Sequence, residues 1–280
     1  MGYKHLLVHV DAGDRAEERI RLAATLARRW DAQLTGLFAE SDTLGRSLVG
    51  KRSPQQFGKA AQRAAAAFEA IARTHRLETE WWQLPPGELD LGGVAAHYCR
   101  YADLSVLGQP DDDDGRVPDD FAAQVLLQSG RPVLLVPSTG HFEDAGRRVL
   151  VSWNGSREGT RALHDALPVL TGAEKVLVLA AQAPPGPEPE RAHERAHPDV
   201  VRHLAKHGVS VEYQPAYVRD GTVGASGVDV LNNVLNVSAE FGADLVVMGA
   251  RGRTTVPFPL PSRSTRRKLR SMTAPVFLSA

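Results

Sequence analysis

The sequence predicts an α/β fold of two tandem doubly wound domains, each a five-stranded parallel sheet with helices on both faces. Two observations carry this expectation. First, three segments return in order: "HLLVHVDAG" (5–13) as "RVLVSWNGS" (148–156), "ADLSVLG" (102–108) as "ADLVVMG" (243–249), and "RPVLLVPS" (131–138) as "APVFLSA" (274–280). Asp11 thereby matches Asn154, Gly108 matches Gly249 and Pro132 matches Pro275, offsets of 143, 141 and 143 residues. A period that long means two homologous domains, not a solenoid. Second, short apolar runs alternate with helical patterns inside each copy, as parallel strands joined by crossover helices require. The expected limits are 1–140 and 146–280. The join, "STGHFEDAGR" (138–147), is rich in turn formers and charge.

In the first half, strands are expected near 5–10, 33–39, 78–84, 103–107 and 133–136. The helix after the first strand shows Ile20, Ala23, Ala24 and Ala27 at the i, i+3, i+4, i+7 spacing of a single buried stripe. In the second half the strands fall near 148–153, 175–181, 209–215, 244–248 and 275–279. Leu163, Ala166, Leu167 and Leu170 make the matching stripe, and Pro168 inside it should kink or end that helix. Runs such as "DLVVM" are apolar on both sides of the pleat, as strands covered on both faces must be.

Composition narrows the function classes. Of the 280 residues, 42% are hydrophobic and 24% charged, a soluble globular balance. Lys+Arg and Asp+Glu both number 33, so no global charge draws the chain to nucleic acid or an anionic membrane. The single cysteine, Cys99, excludes an internal disulfide and suits a reducing cytosol. "MGYKHLLVHVD" is too short an apolar run for a signal peptide, and no run approaches the roughly 18 residues that span a bilayer. A cytoplasmic protein with neither nucleic acid nor membrane as partner is expected.

Ligands of an open doubly wound sheet bind beyond the carboxyl ends of the strands, where strand order reverses. If strands one and four of each half are neighbours there, Asp11 and Gly108 face one crevice, and Asn154 and Gly249 another. A carboxylate or amide at such a tip reads a base edge or ribose, while glycine backbone admits phosphates.

Strand–Asp/Asn, the β-α repeats, "ADLVVMGARG", a long loop and then "APVFLS" together resemble a tandem universal stress protein, over essentially all 280 residues. The resemblance implies adenine nucleotide alpha hydrolase-like domains and a non-catalytic stress-response regulator. Some members of that family bind ATP or related adenine nucleotides. It also implies a pseudo-dimer of the two halves through their last strands, near 133–136 and 276–279, and leaves a further homodimer open. The family's loop is Gly-x2-Gly-x9-Gly-(Ser/Thr). Its acidic residue after strand one meets the adenine end, beside backbone that corresponds to Ala39 and Ala181.

The second half keeps Gly249 and Gly252, but Ser262 and Arg263 stand where the family has Gly and then Ser/Thr, and Asn154 replaces the carboxylate. Pro257, Pro259 and Pro261 remove donors from the loop. Ser262, Ser264 and Thr265 near an expected helix N-terminus, with Arg251, Arg253, Arg263 and Arg266, keep it anion-friendly. The first half keeps Asp11, Ala39 and Gly108, yet Asp111–Asp114 put negative charge where a triphosphate would lie, which repels ATP unless Mg²⁺ intervenes. The expectation is therefore ATP or another adenine nucleotide with Mg²⁺ in the second half, and a degenerate site in the first. The rival is an interaction or scaffold protein of the same fold that has lost nucleotide binding.

Other residues invite chemistry and are read as structure. "HERAH" (193–197) satisfies His-Glu-x-x-His, with His203 downstream, but Val200 stands where the extended zinc-protease motif needs a glycine turn. No metal is expected. Cys99 reads as a buried hydrophobe, His9 as a satisfied strand histidine, and Trp81 and Trp82 as alternating in and out. No Ser/His/Asp order, nucleophile elbow or Walker lysine occurs, so no catalytic residue is assigned and an ATPase could at most be slow.

Overall fold

The structure, a computed structural model, describes residues 2–42, 51–109, 116–182, 197–217, 227–250 and 272–280. The chain divides into two compact units, Met1–Asp144 and Ala145–Ala280.

The first unit runs β1 (His5–Val10), α1 (Ala16–Trp30), β2 (Gln33–Phe38), α2 (Pro54–His75), β3 (Thr79–Gln83), α3 (Leu91–Cys99), β4 (Leu104–Gly108), α4 (Phe121–Ser129) and β5 (Val133–Val136). Its strands lie in the order β3-β2-β1-β4-β5, every pair parallel. The second unit runs β6 (Arg148–Trp153), α5 (Arg157–Asp165), α6 (Leu167–Leu170), β7 (Lys175–Gln182), α7 (His197–Lys206), β8 (Val211–Tyr217), α8 (Gly227–Phe241), β9 (Leu245–Gly249) and β10 (Val276–Ser279). Its order is β10-β9-β6-β7-β8, again all parallel. Within each unit the winding thus reverses between the first and fourth strands, the switch point of a doubly wound fold.

Local chemistry accounts for the elements. Leu6, Leu7, Val8 and Val10 of β1 are all buried, as a strand covered on both faces demands. The stripe Ile20, Ala23, Ala24 and Ala27 is wholly buried on α1, which ends where Asp31 turns left-handed. Helix α2 opens on a capping box: Ser53 accepts from the Gln56 N–H, Gln56 accepts from the Ser53 N–H, and Pro54 takes the first helical position. In the second unit Pro168 divides the helical stretch, α5 ending at Asp165 and α6 beginning at Leu167. Three residues of the matching stripe, Leu163, Ala166 and Leu170, are buried, while Leu167 is half-buried. Strand β8 starts later than its apolar run suggests, because Val209 is used to close the end of α7, its N–H donating to the Leu204 carbonyl.

The repeated "ADL" has a structural task in both copies. Asp103 accepts from the N–H groups of Lys4 and His5, and Asp244 from those of Gly146, Arg147 and Arg148. Each aspartate ties the start of the fourth strand to the start of the first, setting the register that brings their far ends together.

Neither tryptophan of β3 faces open solvent. Trp81 packs on Phe68 of α2 and Phe38, and Trp82 on Tyr98 of α3 and His5, each half-buried. The strand alternates as expected, but a helix covers each face. Cys99 is buried, and burial pushes its thiol up to about 11, so it is no nucleophile at neutral pH.

Candidate functional site

The ladders place the two tips side by side in both units. Leu6, Leu7 and Val8 pair with Leu104, Ser105 and Val106, so Asp11 and Gly108 emerge at one end of neighbouring strands. Val149 to Ser152 pair with Leu245 to Met248, which brings Asn154 and Gly249 together in the same way.

In the first unit the side chains at that crevice pair with one another and with nearby backbone. His9, 2% exposed, uses Nε2 at 2.7 Å from the Ala39 carbonyl. Arg19 reaches down from α1, donating through Nε to the His9 carbonyl and through Nη2 to Asp11 Oδ2, both at 2.7 Å. The Asp11 carboxylate also accepts from the Gly13 N–H at 2.8 Å. Burial pushes the Asp11 carboxyl up, but Arg19, His9 and that N–H outweigh burial and hold it below its usual range. His9 is held neutral, lowered to about 4 first by burial and then by the Arg19 charge. A Cβ on Gly108 would stand 2.6 Å from Arg19 Nη1, so glycine here admits the guanidinium. Alongside, Glu40 is 1% exposed; it accepts from the Ala12 N–H and pairs with Arg52, though burial still raises its carboxyl above the usual value. A cavity of about 370 Å³ opens on these same groups, lined by His9, Asp11, Arg19 and Gly108 together with Arg15 and Arg116.

The second unit differs at each of these positions. The repeat offset of 143 places Ser152 opposite His9 and Ala162 opposite Arg19, and Ala162 is fully buried against the sheet. Neither can span the crevice as Arg19 does. Asn154 is exposed; its Oδ1 accepts from the Ser156 N–H at 3.1 Å, a local turn that sets up Ser156 to cap α5 through the Gly159 N–H. Beside it the Trp153 indole N–H is buried without a hydrogen-bond partner among the described residues. Ala181 is the penultimate residue of β7, one past the last residue paired with β6, and pairs with Ala216 of β8. Gly249 has a steric reason of its own: a Cβ there would lie 2.6 Å from the backbone of Glu158 and Gly159, so the start of α5 rests directly on it.

That close approach gives a first expected result. Gly249→Ala forces α5 away from β9, and overpacking of this kind costs about 1–3 kcal/mol. Chemical denaturation of the variant against the parent measures it; equal midpoints would show that α5 does not rest on Gly249.

Of the sequence-derived site, Asn154, Ala181 and Gly249 in the second unit, and Asp11, Ala39 and Gly108 in the first, are brought to the strand tips as expected. Arg251, Gly252, Arg253, Ser262, Arg263, Ser264 and Thr265, with Asp111–Asp114 and His193, lie outside the described residues. Arg19, Glu40 and Arg52 were not anticipated. Arg19 had a legible signal, since it lies three residues after Ala16 and four before Ala23 on the buried face of α1.

The fold is that of the universal stress proteins. The chain is similar to a universal stress protein from Archaeoglobus fulgidus DSM 4304, with a TM-score of 0.70 and 16% identity over 98% of this chain and 95% of that one. A functionally unknown protein from Pseudomonas aeruginosa PAO1 is similar at a TM-score of 0.60 and 13% identity, covering 99% of this chain and 92% of its own. A universal stress protein from Archaeoglobus fulgidus in complex with dAMP matches 48% of this chain with 98% of its own, at 23% identity and a TM-score of 0.36. No protein-family model matches the chain, and no curated protein matches it significantly. Among the described residues no helix is long and apolar enough to cross a membrane.

Proposed function

We propose that this chain is a tandem universal stress protein of the non-catalytic, nucleotide-linked kind, acting in the cytoplasm, and that its second unit alone holds the adenine nucleotide. The observation that carries this reading is the contrast at the two switch points. In the first, His9 and Arg19 consume the Ala39 carbonyl and the Asp11 carboxylate; in the second, Ser152 and Ala162 stand in their places and Asn154 faces outward. A base there would meet Asn154 and the backbone near Ala181. Phosphates with Mg²⁺ would lie toward Gly252, Arg251, Arg253, Ser262, Arg263, Ser264 and Thr265, where hydroxyls, arginines and the glycine supply anion-binding groups.

ATP with Mg²⁺ at one hundred times its Kd should stabilise the protein by about 2.7 kcal/mol and raise the melting midpoint. Asn154→Leu should shrink that rise, while Asp11→Asn should leave it in place. No rise at millimolar ATP would overturn the reading.

The second reading is an interaction protein of the same fold without nucleotide. It is favoured by Gly249, whose missing Cβ is already explained by the approach of α5, and by the Asn154 side chain serving a local turn. An unmoved midpoint selects it.

A further inference from the structure

The second unit carries a row of histidines away from the strand-tip cleft. His164 lies in the last turn of α5, His203 in the last turn of α7, and His207 immediately after α7. Ring centroids are 4.9 Å apart for His164 and His203 and 4.8 Å for His203 and His207, so His203 is the middle ring. His164 and His207 are exposed, whereas His203 is half-buried and its Nε2 is buried with no hydrogen-bond partner among the described residues. No group of three His, Cys, Asp or Glu among the described residues can hold a metal ion, so what the row offers is charge.

Imidazole is the side chain that gains a proton just below neutral pH. Neutral, the rings stack. Charged, they repel: two unit charges about 5 Å apart shift an equilibrium roughly fourfold even in water, and His203 carries its charge into a half-buried slot. Burial first, then the charges of His164, His207 and Lys206, hold the His203 ring below its usual 6.5. What it contributes to the closed form is therefore complete above pH 6.5 and is lost as pH falls below that value. The carboxyl end of α7 favours one cation, and Lys206 already supplies it.

The surrounding carboxylates are committed elsewhere. Asp165 on α5 pairs with Arg161, Asp199 on α7 with Arg202, and Glu212 on β8, where α7 packs, with Lys175 of β7. Glu158 stands in the first turn of α5, at the end away from His164. Of the strands under α5, β9 and β10 carry no charged side chain, and β6 carries only Arg148, which donates to the Phe241 carbonyl.

We propose that His164, His203 and His207 form a proton-operated latch on the end of α7. With neutral rings the last turn stays docked beside α5, closed by hydrogen bonds from the His207 and Val209 N–H groups to the Leu204 carbonyl and from the Gly208 N–H to the Ala205 carbonyl. Proton uptake opens that turn. It uncovers Leu204 and Val209, which are 0% and 6% exposed in the closed form, and gives His203 Nε2 access to water.

Hydrogen exchange of the full chain, read by mass spectrometry over residues 203–210 as protection factors at about pH 7.5 and about pH 5.5, tests the latch. In the parent, protection of the His207, Gly208 and Val209 amides should fall about tenfold, the effect of one extra proton on the open form over one pH unit. The fall should shrink in His203→Gln and vanish in the triple variant His164→Gln/His203→Gln/His207→Gln. It should persist in His9→Gln, which alters the other unit. Each variant is compared with itself at the two pH values, so a general loss of packing cancels, and His203→Gln alone serves should the triple variant not fold. Unchanged protection in the parent, an undiminished fall in His203→Gln or the triple variant, or loss of the fall in His9→Gln would each overturn the proposal.

Discussion

Arg19→Met should destabilise the first unit by about 3–5 kcal/mol, the cost of leaving one partner of a buried ion pair without the other. The Arg19 and Asp11 side chains are only 5% and 13% exposed, and their 2.7 Å contact is the principal compensation for burying the carboxylate. The loss extends beyond the pair, because Arg19 also satisfies the His9 carbonyl. Three of the four tryptophans, Trp30, Trp81 and Trp82, lie in the first unit, so tryptophan fluorescence during urea unfolding follows the affected part. Adding Asp11→Asn to Arg19→Met should recover much of the loss, since the charge left unpaired is then gone. A single variant as stable as the parent would mean that Asp11 reaches water in solution.

The second large effect is a pH dependence centred on His9. Its folded-state value is lowered from 6.5 to about 4, so the unfolded chain binds the proton more readily. The stability that His9 contributes is therefore complete above pH 6.5 and is lost as pH falls toward 4, by about 2–3 kcal/mol between pH 7 and 4.5. The groups around it are named by the contacts: Arg19 on α1, Asp11 after β1, the Ala39 carbonyl and the ring of Phe121 on α4. Asp11 and Glu18 are both lowered, so their contributions are lost only below their ordinary values of 3.8 and 4.5. Glu40 is raised and works against His9, favouring the folded state as pH falls. Comparing stability against pH for the parent and His9→Gln cancels these shared terms. The parent should fall more steeply from pH 6.5 downward, and parallel curves would contradict the assignment.

Much of the architecture was legible because it rests on repetition and on apolar patterning. Ten strands were expected and ten are observed among the described residues, with edges moved by a residue or two where a neighbour claimed the terminal position, as Val209 shows. The convergence of Asp11 with Gly108, and of Asn154 with Gly249, followed from strand order alone. What was not legible depends on side chains that meet across the fold. Arg19 looks like one more surface arginine until β1 and β4 are adjacent beneath it. His164 and His203 are far apart in sequence and become neighbours only because α5 and α7 pack on one face of the sheet. Gly249 was read for its openness to phosphate, whereas the structure gives it first to the backbone of α5. In the first half the acidic run 111–114 was taken as the reason to exclude a nucleotide. The pairing of His9, Asp11 and Arg19 at the edge of the first unit's cavity was not visible in that run.

The stoichiometry of ATP binding in the presence of Mg²⁺, measured by titration calorimetry on the intact chain, tests this account most directly. One nucleotide per chain is the predicted result. Two per chain in the unaltered protein, or none at all, would contradict it.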